Sequence, residues 1–543
     1  MNYGKNAWFW VFLAISIYLF FSLTFLELPG LQYDEASFGS AAMGNTRFIA
    51  WDIEVFGKKL PIMMMNYIGA LKIALYGPIF WISEPGATAV RLPVVCIGLI
   101  TLLFGYGLFR RMFDGTIAVG GLFLFATAPS FIFANKLDWG PVSLMLALEM
   151  ASMYFLWRWM WEGRRYFLVI AGFLFGLGLY NKIIFAWYLA ALFAALFLVF
   201  RDHFRQLLRR RQMTCFLPAF LLGCLPLVAF NIDLPLRTFE YRQGFTSVGV
   251  ETLTQRYQLL RETLDGQGLY FFINREDVEA PLEPVKGEVT SFPGFLIGRL
   301  AAPTWVRRCL TPAALALSIP VILVLWLSKR LARKREILFV EAILFLMALF
   351  MYMTAEATGA HHVVALFPFT FPLIAYAICG FARLIGGTRA MEGILICVFL
   401  LALVSTQVVV DARYLRAFQT KGGVATWSDA IYELSSFARD NPDRKFVFME
   451  WGLATQLHLL SRGRIWYEEQ LQCEPKNTGY CLDTLVSDPK ALLVFYAPPF
   501  GDTLGLDAYK QALERNRSEG RLVGTFYQRD GRPVYLVYEN HKL

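Results

Sequence analysis

The run AVRLPVVCIGLITLLFGYGLF, residues 89–109, decides the class of fold. It contains a single charged side chain, Arg91. A helix of about 20 apolar residues is long enough to cross a hydrocarbon core of about 30 Å. Two arginines, Arg110 and Arg111, follow the run directly. Because basic residues concentrate at the cytoplasmic ends of membrane helices, the run predicts a span that ends inside the cell.

Runs of this kind recur along the 543 residues, of which 57% are hydrophobic and only 17% charged. A soluble chain of this length has no way to bury so much apolar surface, whereas a bilayer solvates it. We therefore predict an α-helical polytopic membrane protein with about eleven transmembrane helices. The predicted spans are 7–28, 89–109, 116–134, 141–161, 166–180, 183–200, 215–231, 310–328, 337–354, 363–382 and 392–410.

Basic residues cluster in the short turns between these runs and give most of the net charge of +9. Nucleic-acid binding is one interpretation of such clusters. The clusters fall on alternate loops, however, which favours a membrane topology set by the positive-inside rule. Lys5 precedes the first span, which has the character of a retained signal anchor. The topology predicts a cytoplasmic N-terminus and an external C-terminus, in a bacterial inner membrane with periplasmic loops.

Three long segments lie outside the membrane on this map: 29–88, 232–308 and the tail 411–543. Residues 61–82 are apolar enough to span, but a span there would place every later basic turn outside. We expect them to form helices along the outer interface. The tail alternates helix-like stretches (427–439, 506–519) with strand-like ones (445–448, 491–496, 533–538), which predicts a small α/β domain after a transmembrane domain of residues 1–410. Cys473 and Cys481 form a close pair in this tail, and in an oxidising compartment they predict a structural disulfide.

Acidic residues in two outer segments are candidates for chemistry. Tyr33-Asp34-Glu35 follows the first span, and a carboxylate beside an apolar groove gains proton affinity that suits a general base. The alternative is a plain solvated loop. Asp138 lies in a very short outer turn, where a functional role and a helix cap are both open.

Histidines and cations at the outer ends of spans are candidates for binding. His361 and His362 are adjacent, but two neighbouring histidines without ligand spacing are weak evidence for zinc, so contact with an anionic group or an acceptor is favoured. Lys182, Arg91 and Arg299 could bind lipid headgroups or the phosphate of a lipid-linked substrate.

The order of motifs along residues 1 to 410 resembles that of a known family. An outer Asp-Glu loop follows a signal anchor, and later come AVRLP (89–93), FRRMF (109–113), NKLDWGP (135–141), GLGLYNK (176–182), LPLVAFN (225–231) and HHVVALFPF (361–369). Together they resemble the polytopic C-type glycosyltransferases, in particular bacterial members related to the protein O-mannosyltransferases and the lipid A aminoarabinose transferases.

The resemblance implies transfer of a sugar from a polyprenyl phosphate to a glycolipid, polysaccharide or protein acceptor outside the membrane. Asp34 matches the family's catalytic acid and would act as base in a single inverting displacement. Glu35 and Asp138 match two further acids, and Tyr33, His361 and His362 are assigned to donor or acceptor contact. Lys59 falls near the family's phosphate-binding lysine, although relatives often have Glu-Lys-Pro-Pro where this chain has Lys58-Lys59-Leu60-Pro61.

Two other functions are considered for the same sequence. A transporter or flippase of lipid-linked glycans would more often show internal repeats and broken helices near the bilayer midplane. A non-catalytic polymer-assembly partner would not need Asp34 and Asp138. We expect no cofactor, with a divalent cation not favoured and no metal site assigned. The expected partners are a polyprenyl-phosphate sugar, membrane lipids and the acceptor, with no nucleic acid, and the protein is expected to be a monomer.

Overall fold

The computed structural model describes residues 3–45, 47, 49–240, 249–283, 291–355, 359–469, 478–501 and 503–542. The described chain is mainly helical, as predicted. Its first part contains one long helix, then a short helix, three strands and another short helix. These elements are α1 (Tyr3–Leu23), α2 (Tyr33–Ala42), β1 (Trp51–Val55), β2 (Lys58–Met65), β3 (Ile68–Gly69) and α3 (Ile73–Ile82).

The prediction of helices throughout residues 61–82 is wrong in its first part. A three-stranded antiparallel sheet in the order β1-β2-β3 occupies the segment, and only α3 is helical. The turn between β1 and β2 contains Phe56 and Gly57, both with positive φ (51° and 72°). Two successive residues in this region of backbone conformation match the twist of a tight hairpin, which the hydrophobic pattern of β2 does not reveal.

The next part of the chain forms a bundle of apolar helices. They are α4 (Ala87–Met112), α5 (Gly115–Ala126), α6 (Pro129–Lys136), α7 (Val142–Glu162), α8 (Arg165–Asn181), α9 (Phe185–Val199), α10 (Arg201–Leu207) and α11 (Arg210–Asp233). The run 116–134, predicted as one span, is bent by 59° between α5 and α6. Pro129 opens α6 at a position where its missing N–H costs no hydrogen bond, so a second helix begins there.

Four helices of the segment predicted to lie outside the membrane come next, followed by further bundle helices. The four are α12 (Arg237–Glu240), α13 (Val250–Asp265), α14 (Gln267–Asn274) and α15 (Phe292–Ala301). The later bundle consists of α16 (Thr311–Leu327), α17 (Lys334–Met353), α18 (Ala360–Val363), α19 (Phe367–Ile385) and α20 (Arg389–Lys421). Among described residues, five helical stretches are long and apolar enough to cross a membrane, or seven if each of two bent pairs counts as one span. The protein is therefore a multi-pass membrane protein, while the count of eleven is not confirmed.

Glycines bring α8 and α11 into close contact. A Cβ added at Gly176 would lie 2.1 Å from the Phe220 carbonyl oxygen, and one at Gly223 would lie 2.2 Å from the Phe173 carbonyl oxygen. Small residues on both faces let two backbones approach, which is how helices in membranes gain packing contact. This crossing fixes the turn after α8, which carries Lys182.

The tail forms the predicted α/β domain. Its elements are α21 (Ala430–Asp440), β4 (Lys445–Phe448), α22 (Ala454–Leu460), β5 (Trp466–Glu469), α23 (Thr478–Val486), β6 (Ala491–Tyr496), α24 (Thr503–Arg515), β7 (Ser518–Tyr527) and β8 (Pro533–Lys542). The sheet has the order β5-β4-β6-β8-β7, in which β4 is parallel to both β5 and β6. Cys473 and the side chain of Cys481 lie outside the described residues, so the disulfide stays a prediction.

One apolar core joins the tail domain to the segment that carries Asp34. Leu31, Ala36 and Phe38 pack in the same buried cluster as Leu434 and Phe448. The N–H of Gly30 donates to the carbonyl of Trp427 at 2.7 Å, which ties the start of this segment to the domain. The position of α2 therefore depends on the membrane bundle and on the tail domain together.

Candidate active site

The first turn of α2 presents the acidic pair. The Gln32 side chain accepts from the N–H of Asp34 at 2.6 Å, and the Glu35 carboxylate accepts from the N–H of Gln32 at 2.9 Å. This reciprocal pairing is a capping box, which fixes where the helix begins. Adjacent residues on a helix point in different directions. Asp34 and Glu35 accordingly have different surroundings.

Glu35 is buried and paired with Arg91. Its two carboxylate oxygens accept from Nε and Nη2 of Arg91, both at 2.7 Å. The remaining guanidinium donors reach the carbonyls of Leu26, Pro29 and Gly30. The Arg91 side chain is fully buried and its donors are used within the protein, so the structure does not bring the predicted phosphate ligand Arg91 to the cavity. Its pairing gives Glu35 a structural role beside the site, not a place in the cavity.

Asp34 lines a cavity of about 250 Å³. The cavity is bounded by α2, β2, β3, the turns before α7 and α9, and the start of α18. Its walls also include two tryptophans, Trp139 and Trp187, and the predicted residues Lys182, His361 and His362. The structure therefore gathers four of the predicted site residues, from three separate motifs, around one space.

Burial and two lysines set the acidity of Asp34. Burial raises the pKa of its carboxyl group, while the positive charges of Lys182 and Lys72 oppose the rise. Burial likewise lowers the pKa of the Lys182 ammonium group to about 8, with Asp34 opposing. A carboxylate of raised proton affinity facing a cation is suited to accept a proton next to a developing negative charge.

Backbone pairing positions Lys182 over the cavity. The N–H of Ile183 donates to the Tyr67 carbonyl at 3.0 Å, and the backbone of Lys182 forms an isolated antiparallel β-bridge with Ile68 of β3. The turn between α8 and α9 is thereby fastened to the small sheet. The sheet that replaced the predicted interfacial helices thus has a positioning role in the site.

Asp138 lies behind the cavity and is not a helix cap. It is buried, accepts from the Tyr76 hydroxyl and pairs with the Lys72 ammonium group. Lys72 also donates to the carbonyl of Gly140 at 2.7 Å, and its Nζ lies 5.0 Å from the ring centroid of Phe38. Helix α7 begins only at Val142, so Asp138 does not cap it. Asp138 instead pairs with Lys72, whose positive charge acts on Asp34.

The histidine pair belongs to an aromatic wall. His361 stacks on Trp139 with ring centroids 5.7 Å apart, and the His362 and Trp187 rings are 6.2 Å apart. Aromatic faces with a few polar groups among them are typical of small-molecule sites. Within the described ranges, no group of three or more His, Cys, Asp or Glu residues is arranged to hold a metal ion.

Three other candidates lie outside the cavity lining. The Tyr33 ring packs on Trp451 of the tail domain, with centroids 4.7 Å apart. Lys59 is on the exposed hairpin and pairs loosely with Asp52 at 3.8 Å. Arg299 is exposed on α15. The structure does not bring Lys59 or Arg299 to Asp34, and the cation that the family's lysine motif predicted near the cavity is supplied by Lys182, with Lys72 beneath.

Comparisons with known proteins address the family resemblance and the fold. Residues 64–230 match the family described as dolichyl-phosphate-mannose-protein mannosyltransferase. The fold is similar to that of ArnT from Cupriavidus metallidurans bound to undecaprenyl phosphate, with a TM-score of 0.61 and 15% identity over 99% of this chain and 98% of that one. The chain therefore resembles the C-type glycosyltransferases in sequence over residues 64–230 and in fold over nearly its whole length. The resemblance seen in the sequence is confirmed.

A second solved structure has a similar fold. The oligosaccharyltransferase of Archaeoglobus fulgidus is similar with a TM-score of 0.52 and 13% identity, over 95% of this chain and 69% of that one. No curated protein matches the sequence. By description, the matched family is a mannosyltransferase and this neighbour is an oligosaccharyltransferase.

The sequence did not predict Lys72 behind the cavity, Trp187 in its wall or Trp451 against Tyr33. Lys72 is a single cation in the apolar stretch 61–82, and that isolation is a signal, because a lysine seldom enters an apolar run without a partner. Trp187 lies inside a predicted span and Trp451 in a distant domain. Nothing in their local sequence separates them from ordinary packing residues.

Proposed function

We propose that the protein transfers a sugar from a polyprenyl-phosphate donor to an acceptor outside the membrane, with Asp34 as the general base. The observation that most directly supports this proposal is that Asp34 and Lys182 line the same cavity, which has an aromatic wall. The matched family is named for a dolichyl-phosphate sugar, and the ArnT neighbour is described as bound to undecaprenyl phosphate. Both descriptions support a lipid phosphate as the leaving group.

The chemistry is a single displacement at the anomeric carbon. The acceptor oxygen forms a bond to this carbon as the bond to the phosphate oxygen breaks. Asp34 takes the proton of the acceptor hydroxyl, and the ammonium group of Lys182 stabilises the negative charge that grows on the departing phosphate. Attack from the side opposite the phosphate inverts the anomeric configuration. Asp138 contributes indirectly by holding Lys72 beneath Asp34.

The size of the cavity agrees with a small reacting group. A volume of about 250 Å³ suits one sugar unit better than a branched oligosaccharide. The lipid tail has to lie outside this space, along the apolar helices. Of the predicted phosphate-binding residues, Lys182 alone lines the cavity. One cation fits the charge of a monophosphate better than that of a diphosphate.

The test is sugar transfer by the purified full-length protein in nanodiscs. Radiolabelled polyprenyl-phosphate sugars are offered with an extract of membrane glycolipids and polysaccharides. Asp34→Asn keeps the shape of the side chain and removes the base, so we expect transfer to fall by about 100-fold or more. Asp52→Asn, which changes a partly exposed carboxylate on the hairpin outside the cavity lining, is the matched control and should transfer like the parent.

Two outcomes contradict the proposal in different ways. Transfer by folded Asp34→Asn at the parent rate would remove Asp34 from the mechanism. If the parent moves labelled lipid across liposomes and transfers nothing, the transporter function replaces this one. The anomeric configuration of the product, read by NMR coupling constants, separately tests the inversion.

A further inference from the structure

The carboxyl edge of the tail sheet is a candidate binding surface. β4, β5 and β6 run parallel, so their carboxyl ends lie along one edge. In open α/β sheets, ligands bind outside this edge. Trp451 lies three residues beyond the end of β4, Glu469 is the last residue of β5, and Tyr496 is the last residue of β6.

This edge of the sheet faces the helix that carries Asp34. The Trp451 ring packs on Tyr33 with centroids 4.7 Å apart, and Thr455 of α22 donates to the Tyr33 carbonyl at 3.5 Å. Tyr33 immediately precedes Asp34 in α2. Trp451 is therefore separated from the candidate base by a single side chain, although the two residues belong to different parts of the fold.

The charges of two carboxylates act on the Tyr33 phenol. Burial, and then the charges of Glu469 and Asp34, raise the pKa of the Tyr33 phenol. The Glu469 side chain is partly buried at the strand end, and Arg47 crosses the same region by donating to the carbonyl of Tyr467 at 2.9 Å. Polar groups that accept and donate therefore lie beside the aromatic pair.

Trp451 is exposed beside a buried partner. Its side chain is 51% exposed, whereas Tyr33, on which it packs, is buried. An exposed indole face beside carboxylates matches a pyranose ring, which has an apolar C–H face and a rim of hydroxyl donors. Aromatic residues with such a polar rim are also where binding free energy concentrates.

We propose that Tyr33, Trp451 and Glu469 form an acceptor platform that binds a carbohydrate. This inference rests on the proposed function, because it identifies the bound carbohydrate as the acceptor of the transferred sugar. It narrows the acceptor to a glycan, in a glycolipid or polysaccharide, rather than a peptide. A sugar stacked on Trp451 places its neighbouring unit towards Asp34, because the platform adjoins the first turn of α2.

The test measures glycan binding without any donor, so that it stands apart from transfer. The labelled full-length protein in nanodiscs is applied to an array of bacterial-type oligosaccharides and to an array of unglycosylated peptides. Trp451→Ala should weaken retention on the glycans by about tenfold, as expected for loss of one stacked aromatic ring. Trp451→Phe should recover most of the binding, because it restores an aromatic face.

A matched control comes from the same domain. Trp466 is 50% exposed on β5, and Lys445 lies over its ring instead of Tyr33. Trp466→Ala should bind glycans like the parent. Equal retention by the parent and Trp451→Ala, retention on peptides alone, or no retention of any glycan by the folded parent would each overturn the platform. Donor-dependent transfer, measured separately, would then still decide the proposed function.

Discussion

Arg91 illustrates how a residue's role depends on a partner far away in the chain. The sequence predicts Arg91 as a phosphate ligand. In the structure its guanidinium group is bound by Glu35 and three backbone carbonyls. Pairing across 56 residues leaves no local pattern in the sequence. Glu35 and Asp34 are neighbours in sequence, yet this ion pair assigns one to structure and the other to the cavity.

Removing Arg91 should destabilise the protein and not merely weaken donor binding. Arg91→Met leaves the buried Glu35 charge without a partner, and we expect the free energy of unfolding to fall by about 3–5 kcal/mol. The double variant Glu35→Gln/Arg91→Met should lose less. Thermal unfolding in detergent checks this, with the exposed Arg299→Met as control. A stable Arg91→Met with a raised KM for the donor would restore the phosphate-binding role.

Lys182 should set the alkaline limit of activity. Its pKa of about 8 means that the ammonium group loses its proton as the pH rises through that value, and the departing phosphate loses its counter-charge. At the acid end, protonation of Asp34 should remove the base at a pH above the usual range for aspartate, because its pKa is raised. The pH dependence of kcat/KM should therefore be bell-shaped.

Lys182→Arg is the variant that tests this assignment. Arginine keeps its charge to a much higher pH, so the alkaline limb should move out of the measured range while the acid limb stays in place. An alkaline limb that remains near pH 8 in Lys182→Arg would assign it to another group. The parent and Lys182→Met, measured in the same buffers, provide the comparison.

At the scale of elements, helix existence could be predicted from the sequence and strand pairing could not. Apolar runs long enough to span gave helices at nearly every predicted position, and the strand-like stretches 445–448 and 491–496 correspond to β4 and β6. The hairpin of β1 and β2 was missed because its outer strand has exposed, charged residues and its turn lacks an Asn-Gly pair. The bend after α5 was missed because the run stays apolar through it.

The crossing of α8 and α11 gives a prediction at the same scale. Gly176→Ala would place a Cβ against the Phe220 carbonyl oxygen, so the two backbones must separate. We expect a loss of roughly 1–3 kcal/mol in the free energy of unfolding. Gly393→Ala in α20 is the matched control, since nothing lies within 4 Å of its added Cβ, and it should be neutral or slightly stabilising. Equal stability of the two variants would contradict the close packing.

Part of the site could be predicted from the sequence, because the predicted topology places the ends of several spans on one side. Asp34, Lys182, His361 and His362 lie at the outer ends of different spans, and a consistent topology brings such ends to one surface. Lys59 was misplaced because its side chain is exposed on a hairpin whose turn the sequence pattern did not predict. Trp451 was missed because the tail domain's contact with α2 is a tertiary event.

For the whole molecule, the topology remains a prediction that a fusion experiment decides. The alternating basic turns predict a cytoplasmic N-terminus and an external tail domain. Alkaline phosphatase fused after Leu543 should be active in a bacterial host, because the enzyme matures only outside the cytoplasm. Green fluorescent protein at the same place, exported by the same route, should stay dark. Bright fluorescence with inactive phosphatase would invert the topology and move the cavity to the cytoplasmic face.

The length of α20 sets a vertical dimension for the protein. Its 33 residues extend about 50 Å at roughly 1.5 Å per residue, which exceeds a hydrocarbon core of about 30 Å by about 20 Å. The helix therefore acts as a fixed spacer that holds the tail domain at one height above the lipid. Under the proposed function, an acceptor would be selected by reach as well as by chemistry, because its reactive hydroxyl would have to lie at the distance from the bilayer that this spacer defines.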